Sequence, residues 1–469
     1  MEDLYKLSAS EAVALLRKTE VSPSEMVEAS IQRIEAVDET VNSLPIRAFD
    51  RAREQAKSID VKAAAENPRS LCGLPIAVKG YNDLGGVVTT YGSPIFAENA
   101  AEVSDATVAQ LEENDAVPIA KSNVPEWAGG HTFNPVFGTT RNPWNTALSA
   151  GGSSGGSSVA LATGQVWLAT GNDLGGSLRT PASFNGIVGL RPSPGRVPRG
   201  SRLPAFDTLW VEGPMGRSVR DVALMFDAGV GQSTGDPFSF NDPTTLFQNE
   251  LDTGTLPKRV AFSPDLGIVP MAKEVADVCQ TAAARFADLG AEVTIDAPDF
   301  TGALDGFQAL RAVLLAVLME PILEQHRDKI APEIIGNIER GLEITPEQIF
   351  EAERARHQLF HRMAKFFETH DFLVCPTTSI TPFPVEQRYV TEIDGKPCET
   401  YIDWFSITFA LTMTSCPTIS LPCGFSEKGM PIGMQIVGKP KGEAALLRVA
   451  HHMEALLGVA GQLPIDPRT

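Results

Sequence analysis

The sequence predicts an α/β fold with a largely parallel sheet covered by helices. The stretches "DATVAQLEENDAVPIAKSN" (105–123) and "SSVALATGQVWLATGND" (157–173) each pass from a helical pattern into a short apolar run. Helices alternating with strands in this way cover a sheet whose strands run parallel. The composition agrees, with 43% hydrophobic and 21% charged residues over 469 positions, enough to build a large core.

Taken in order, residues 8–35 carry Ala12, Leu15 and Leu16, then Val27, Ile31 and Ile34, at helical spacing. Ser8 with Glu11 forms a capping-box pattern, and Ser22 followed by Pro23 marks a second helix start. Residues 51–66 read as a third, polar helix. "LCGLPIAVKG" (71–80) is an apolar run enclosing glycine and bounded by it, and reads as a buried strand. Residues 125–152, rich in Pro, Gly, Asn and Thr, form a long loop. A helix is expected from about Ser157, then a strand ending near Gly171. Residues 233–257 read as loop, and 303–370 as a helical excursion broken at Pro332 and Pro346. "FLVCPTT" is a strand, "PTISLPCGFSEKGMPIGMQIVGK" two strands joined by a turn, and "EAALLRVAHHMEALLG" an amphipathic helix.

The formal net charge of −19 repels polyanions, so nucleic acid is not an expected partner. No apolar run reads as a membrane span, and the first residues lack the basic and apolar regions of a signal peptide, so a cytoplasmic protein is expected. Six scattered cysteines form no CxxC pair and are expected to be reduced and mostly buried. HExxH, GxxxxGK[ST] and a strand-borne GxGxxG are all missing from the sequence, so neither a metal nor a nucleotide cofactor is expected.

The segment "GGSSGGSS" (151–158) has the composition of a flexible linker, yet both its flanks read as parts of one sheet. A second Gly/Ser cluster, "GNDLGGSLRTP" (171–181), follows closely, which suggests backbone packed tightly around a small group. Gly151, Ser153 and Gly155 also satisfy GxSxG, but a nucleophile elbow needs a strand before the serine, and "TRNPWNTALSA" carries Asn142, Pro143 and Asn145 there. The downstream histidines lie on charged, helical stretches. Acyl transfer can proceed without histidine, given a nucleophile, a proton acceptor and oxyanion donors. Lys79, at the end of "LPIAVK", would lose its proton more easily on burial and so could serve as base.

"GGSSGG", then "DLGGSLR", with "VK" upstream, resembles the amidase signature family of Ser-Ser-Lys hydrolases. The likeness runs from "LPIAVKGYND" through "KSNVPEWAGG" and "TRNPWN" to "PIGMQIVG", and so covers nearly the whole chain. It implies one amidase domain over 1–469, with its core motifs in 72–200 and a central mixed, mostly parallel twisted sheet with helices on both faces. It also implies that Ser177 is the nucleophile, that Ser153, held by a cis peptide bond, is the bridging serine, and that Lys79 is the base. The N–H groups of Leu174, Gly175, Gly176 and Ser177 would form the oxyanion hole. The Ala128 carbonyl would hold the leaving amide, and Ser154, Asp173 and Arg179 would support the site. Gly80, Asn172, Leu174 and Asn185 depart from residues common in the family, without removing a catalytic atom.

The expected activity is hydrolysis of the C–N bond of a small neutral amide, anilide or carbamate, with no cofactor. The resemblance allows a homodimer. A glutamine-hydrolysing amidotransferase subunit working with partner chains is the alternative. A catalytically dead binding module ranks last, because all three catalytic positions are filled. Trp127, Phe133, Phe137, Leu174, Trp404, Phe405 and Phe409 are the expected apolar lining of the acyl pocket, and His131 either touches substrate or structures its loop.

Overall fold

The computed structural model describes residues 3–241 and 245–469. The two predicted N-terminal helices form as Ala9–Arg17 and Pro23–Val41, each opened by a full capping box, Ser8 with Glu11 and Ser22 with Glu25. The predicted third helix is two, Phe49–Ser58 and Val61–Glu66, because Asp60 caps a fresh start with its side chain on the N–H groups of Lys62 and Ala63.

Eleven strands make one sheet: β1 (Ile46–Arg47), β2 (Pro75–Lys79), β3 (Val117–Ser122), β4 (Leu168–Asp173), β5 (Val188–Arg191), β6 (Val211–Gly216), β7 (Arg259–Phe262), β8 (Glu292–Ile295), β9 (Phe372–Pro376), β10 (Thr418–Phe425) and β11 (Pro431–Val437). Their order is β1-β3-β2-β4-β6-β5-β10-β11-β9-β7-β8. The sheet is mixed, as expected, but parallel pairing is not in the majority. β3/β2, β2/β4, β9/β7 and β7/β8 are parallel, whereas the other six neighbouring pairs are antiparallel. Only β10 and β11 are joined by a short turn, which allows antiparallel pairing alone; the other antiparallel neighbours, such as β5 and β10, come from distant segments whose direction no local signal sets.

Parallel pairing is kept where the site lies. β3, β2 and β4 run side by side, and their carboxyl ends bring Ser122, Lys79 and Asp173 to one edge. Ligands of α/β sheets bind at such strand ends. The connection from β3 to β4 contains the helix Gly155–Ala162, which is wholly buried and begins two residues before the expected Ser157.

The excursion forms three helices, Ala303–His326, Pro332–Glu343 and Pro346–Phe366, with Pro332 and Pro346 each at a helix start. The stretch Ala303–Lys329 is apolar and long enough to cross a membrane by composition, contrary to the sequence expectation, and half of its most apolar window is buried within the fold. Phe307 on this helix stacks on Phe409 with ring centroids 4.4 Å apart, and the buried Arg311 donates to Asn337 Oδ1 at 2.9 Å. All six cysteines are free, and five are buried, as expected.

Candidate active site

The glycine-serine run is a rigid turn. A Cβ on Gly152 would lie 2.3 Å from Gly130 O, and one on Gly156 2.4 Å from Asn123 N, so only glycine lets these backbones meet. The hydroxyl of Thr132 donates to Gly151 O at 2.9 Å and accepts from Gly155 N at 3.1 Å, clamping the turn from the long loop. Asn185 holds the other side through Ala150 O and Ser158 Oγ, at 2.8 and 2.7 Å. The peptide bond between Gly152 and Ser153 is cis.

This turn delivers two hydroxyls to Lys79, which is completely buried at the end of β2. Lys79 Nζ lies 2.8 Å from Ser153 Oγ, 2.7 Å from Ser154 Oγ and 2.6 Å from Asn172 Oδ1. Asn172 O lies farther off, at 3.4 Å, and the three nearer acceptors match the three protons of an ammonium group. In the neutral amine one of these bonds must reverse, and only a serine hydroxyl can then donate to nitrogen. Burial lowers the Lys79 pKa to about 7, against the opposing charges of Glu212 and Asp173. The amine is therefore available as a base near neutral pH.

Ser177 follows β4 on the loop 174–178. It is partly exposed, and its hydroxyl has no hydrogen-bond partner among the described residues. The loop is organised by Asp173, whose carboxylate accepts from Gly176 N at 2.8 Å, Leu178 N at 3.1 Å, Arg179 Nε at 3.0 Å, Arg179 Nη2 at 2.9 Å and Arg191 Nη1 at 3.1 Å. Burial disfavours its charge, but Arg179 and Arg191 outweigh burial and hold the carboxyl well below the usual range. The Gly176 N–H is thus committed to Asp173, which removes it from the expected oxyanion donors. The N–H groups of Leu174, Gly175 and Ser177 have no hydrogen-bond partner among the described residues.

Beside Asn172 and Glu212 opens a cavity of about 610 Å³, walled by Tyr81, Trp210 and Trp127 and by Leu315 and Ile322 of the excursion helix. Of the expected pocket residues only Trp127 lines it. Trp404 and Phe409 are fully packed in the core, Leu174 is buried against the cluster containing Phe307 and Phe409, and Phe405 packs at that cluster's edge. Phe133 lines a separate cavity of about 330 Å³. Phe137 lines neither. Ala128 ends the one-turn helix Glu126–Ala128, in which Trp127 has left-handed φ. His131 is buried, tilted against Phe133 and edge-on to Phe383, and burial lowers its pKa to about 4. Among the described residues no cluster of His, Cys, Asp and Glu could hold a metal ion.

The Amidase family model matches residues 25–447. The chain belongs to the amidase signature family. It is 33% identical over 473 residues to an acylamidase of Rhodococcus erythropolis, covering 99% of this chain and 98% of the relative. It is 31% identical over 478 residues to a glutamyl-tRNA(Gln) amidotransferase subunit of Moorella thermoacetica, covering 96% and 97%. The solved structure of a bacterial aryl acylamidase of the same family superposes with a TM-score of 0.89 at 28% identity, over 98% of this chain and 99% of that one. A 6-aminohexanoate cyclic dimer hydrolase gives 0.89 at 27%, with the same coverage. This amidase is thus a single large α/β domain and a hydrolase of amide C–N bonds.

Sequence reasoning assigned no role to Asn172, Glu212, Asn82, Thr132 or Arg191. Asn172 was visible as a departure from the family pattern, and its contact with Lys79 gives that departure a use. The others are ordinary polar residues whose partners come from distant segments, and nothing in their spacing marks them.

Proposed function

We propose that this amidase cleaves neutral carboxylic amides through an acyl-enzyme on Ser177, with Ser153 and Lys79 as proton relay. The observation that carries the reading is the buried Lys79 amine 2.8 Å from Ser153 Oγ. Neutral Lys79 takes the Ser153 proton while Ser153 takes that of Ser177, whose oxygen attacks the carbonyl carbon. The N–H groups of Leu174, Gly175 and Ser177 are free to receive the oxyanion. As the C–N bond breaks, the proton returns through Ser153 to the leaving nitrogen, and water then releases the acid by the same relay.

The cavity adjoins the proposed relay through Asn172, its apolar and aromatic walls support an aryl or medium alkyl amide, and the relatives named acylamidase support the same class. Burying such a group contributes about 1.5–3 kcal/mol. The similarity to amidotransferase subunits favours a second reading, glutamine hydrolysis with partner chains. The test compares an anilide with glutamine, using the wild type, Ser177→Ala and Lys79→Ala. The anilide should win, Ser177→Ala should abolish turnover, and Lys79→Ala should lose at least about 10²-fold in kcat/KM. Full activity in Ser177→Ala refutes the mechanism. Preference for glutamine, rising when a partner chain is added, installs the second reading.

A further inference from the structure

Behind Asn172 lies a carboxylate that the relay does not use. Glu212 on β6 is the direct cross-strand partner of Asn172 on β4, so the two side chains share one face of the sheet, and both line the cavity. Lys79 Nζ reaches the same face through its bond to Asn172 Oδ1. Glu212 is 3% exposed, and among the described residues no arginine or lysine forms an ion pair with it. It is held instead by Asn82 Nδ2 and Trp210 Nε1, one on each oxygen, both at 3.1 Å.

Asn82 ties this carboxylate to the base. Its N–H donates to Lys79 O at 2.9 Å, closing the turn that follows the lysine. Thr170 Oγ1 accepts from Lys79 N at 2.7 Å and donates to Asn82 Oδ1 at 3.3 Å. We infer that Glu212 is a positioning residue for the base: its charge, fixed by Asn82 and Trp210, decides when Lys79 gives up its proton. The inference rests on the proposed role of Lys79.

The surrounding charges single Glu212 out. Lys79 feels Glu212 and Asp173, but Asp173 is engaged by Arg179 and Arg191. Glu212 in turn faces Asp105 and Lys79, and burial raises its pKa to about 7. Asp105, which also accepts from Asn82 Nδ2, faces Asp83, and Lys121 lies near Asp83, Asp105 and Arg202. The remaining un-neutralised carboxylate beside the base is therefore Glu212. An opposite charge favours the ammonium form, so removing it frees the amine at lower pH.

The test is the pH profile of kcat/KM for Glu212→Gln on an anilide, with the Lys79 side chain titrated in parallel by NMR of ¹³Cε-labelled lysine. The Lys79 resonance is assigned from its loss in Lys79→Met. The acidic limb and the NMR titration should both move down by about one pH unit, with the high-pH plateau little changed. Glu212→Met, uncharged and similar in volume, should move both the same way, so whichever variant folds reads the inference. Glu212→Asp should restore the wild-type position. A limb and a titration that both stay in place, with kcat lowered at every pH, mean a structural role and overturn the inference. A shifted titration with an unshifted limb upholds the coupling but overturns Lys79 as the base, which separates the two claims.

Discussion

Replacing Asp173 tests whether the loop bearing Ser177 is held by one carboxylate. Asp173, Arg179 and Arg191 are all fully buried. The Asp173 carboxylate receives bonds from Gly176 N, Leu178 N, Arg179 and Arg191, while Arg179 reaches on to Thr408 O at 2.9 Å and Gln435 Oε1 at 3.0 Å. Asp173→Asn keeps the shape but leaves two buried guanidinium groups without their counter-charge. Removing one partner of a buried ion pair costs about 3–5 kcal/mol. Unfolding entropy of about 2.1 cal/mol/K per residue, over a chain of this length, makes each kcal/mol worth roughly 1 °C. Tm should therefore fall by about 3–5 °C in scanning calorimetry at pH 7. The loop loses its aim with it, and kcat/KM on an anilide should drop about 10²-fold or more, as when an oxyanion donor is lost. The sign with pH follows from the lowered carboxyl pKa. The stabilisation is complete above the unfolded value near pH 4 and fades as the pH falls toward the folded value. The Tm gap between wild type and variant should accordingly be widest at neutral pH and narrow below about pH 4. A variant with the wild-type Tm and kcat/KM at pH 7 refutes the reasoning.

Two further outcomes follow from the same site. Gly176 has φ +127°, and a Cβ there would sit 2.2 Å from Thr408 Oγ1, so Gly176→Ala should displace the loop and cut kcat about 10²-fold, read by steady-state kinetics on purified, folded protein. His131, held neutral above about pH 4 by burial, should contribute nothing to the acidic limb of kcat/KM, so His131→Asn should leave that limb where it is; loss of the limb in this variant would return the base to histidine.

Local chemistry alone made much of this protein legible. Capping serines and prolines set helix starts at Ser8, Ser22, Pro332 and Pro346, because the groups that satisfy a helix end lie within a few residues of it. The roles of Lys79, Ser153 and Ser177 come instead from the resemblance of "VK", "GGSSGG" and "DLGGSLR" to the amidase signature family. Sheet direction was not legible, since it depends on which distant strands pair, and six of the neighbouring pairs turned out antiparallel. Cavity lining was not legible for a related reason: an aromatic residue carries the same apolar surface whether it lines a cavity or fills the core, and Trp404 and Phe409 fill the core. Tertiary structure alone committed the Gly176 N–H to Asp173, set Asn172 2.6 Å from Lys79 Nζ and placed Glu212 across the strand behind it. Lys79 and Glu212 lie far apart in the chain, and it is their shared burial, which only the folded sheet creates, that brings both of their pKa values toward neutrality.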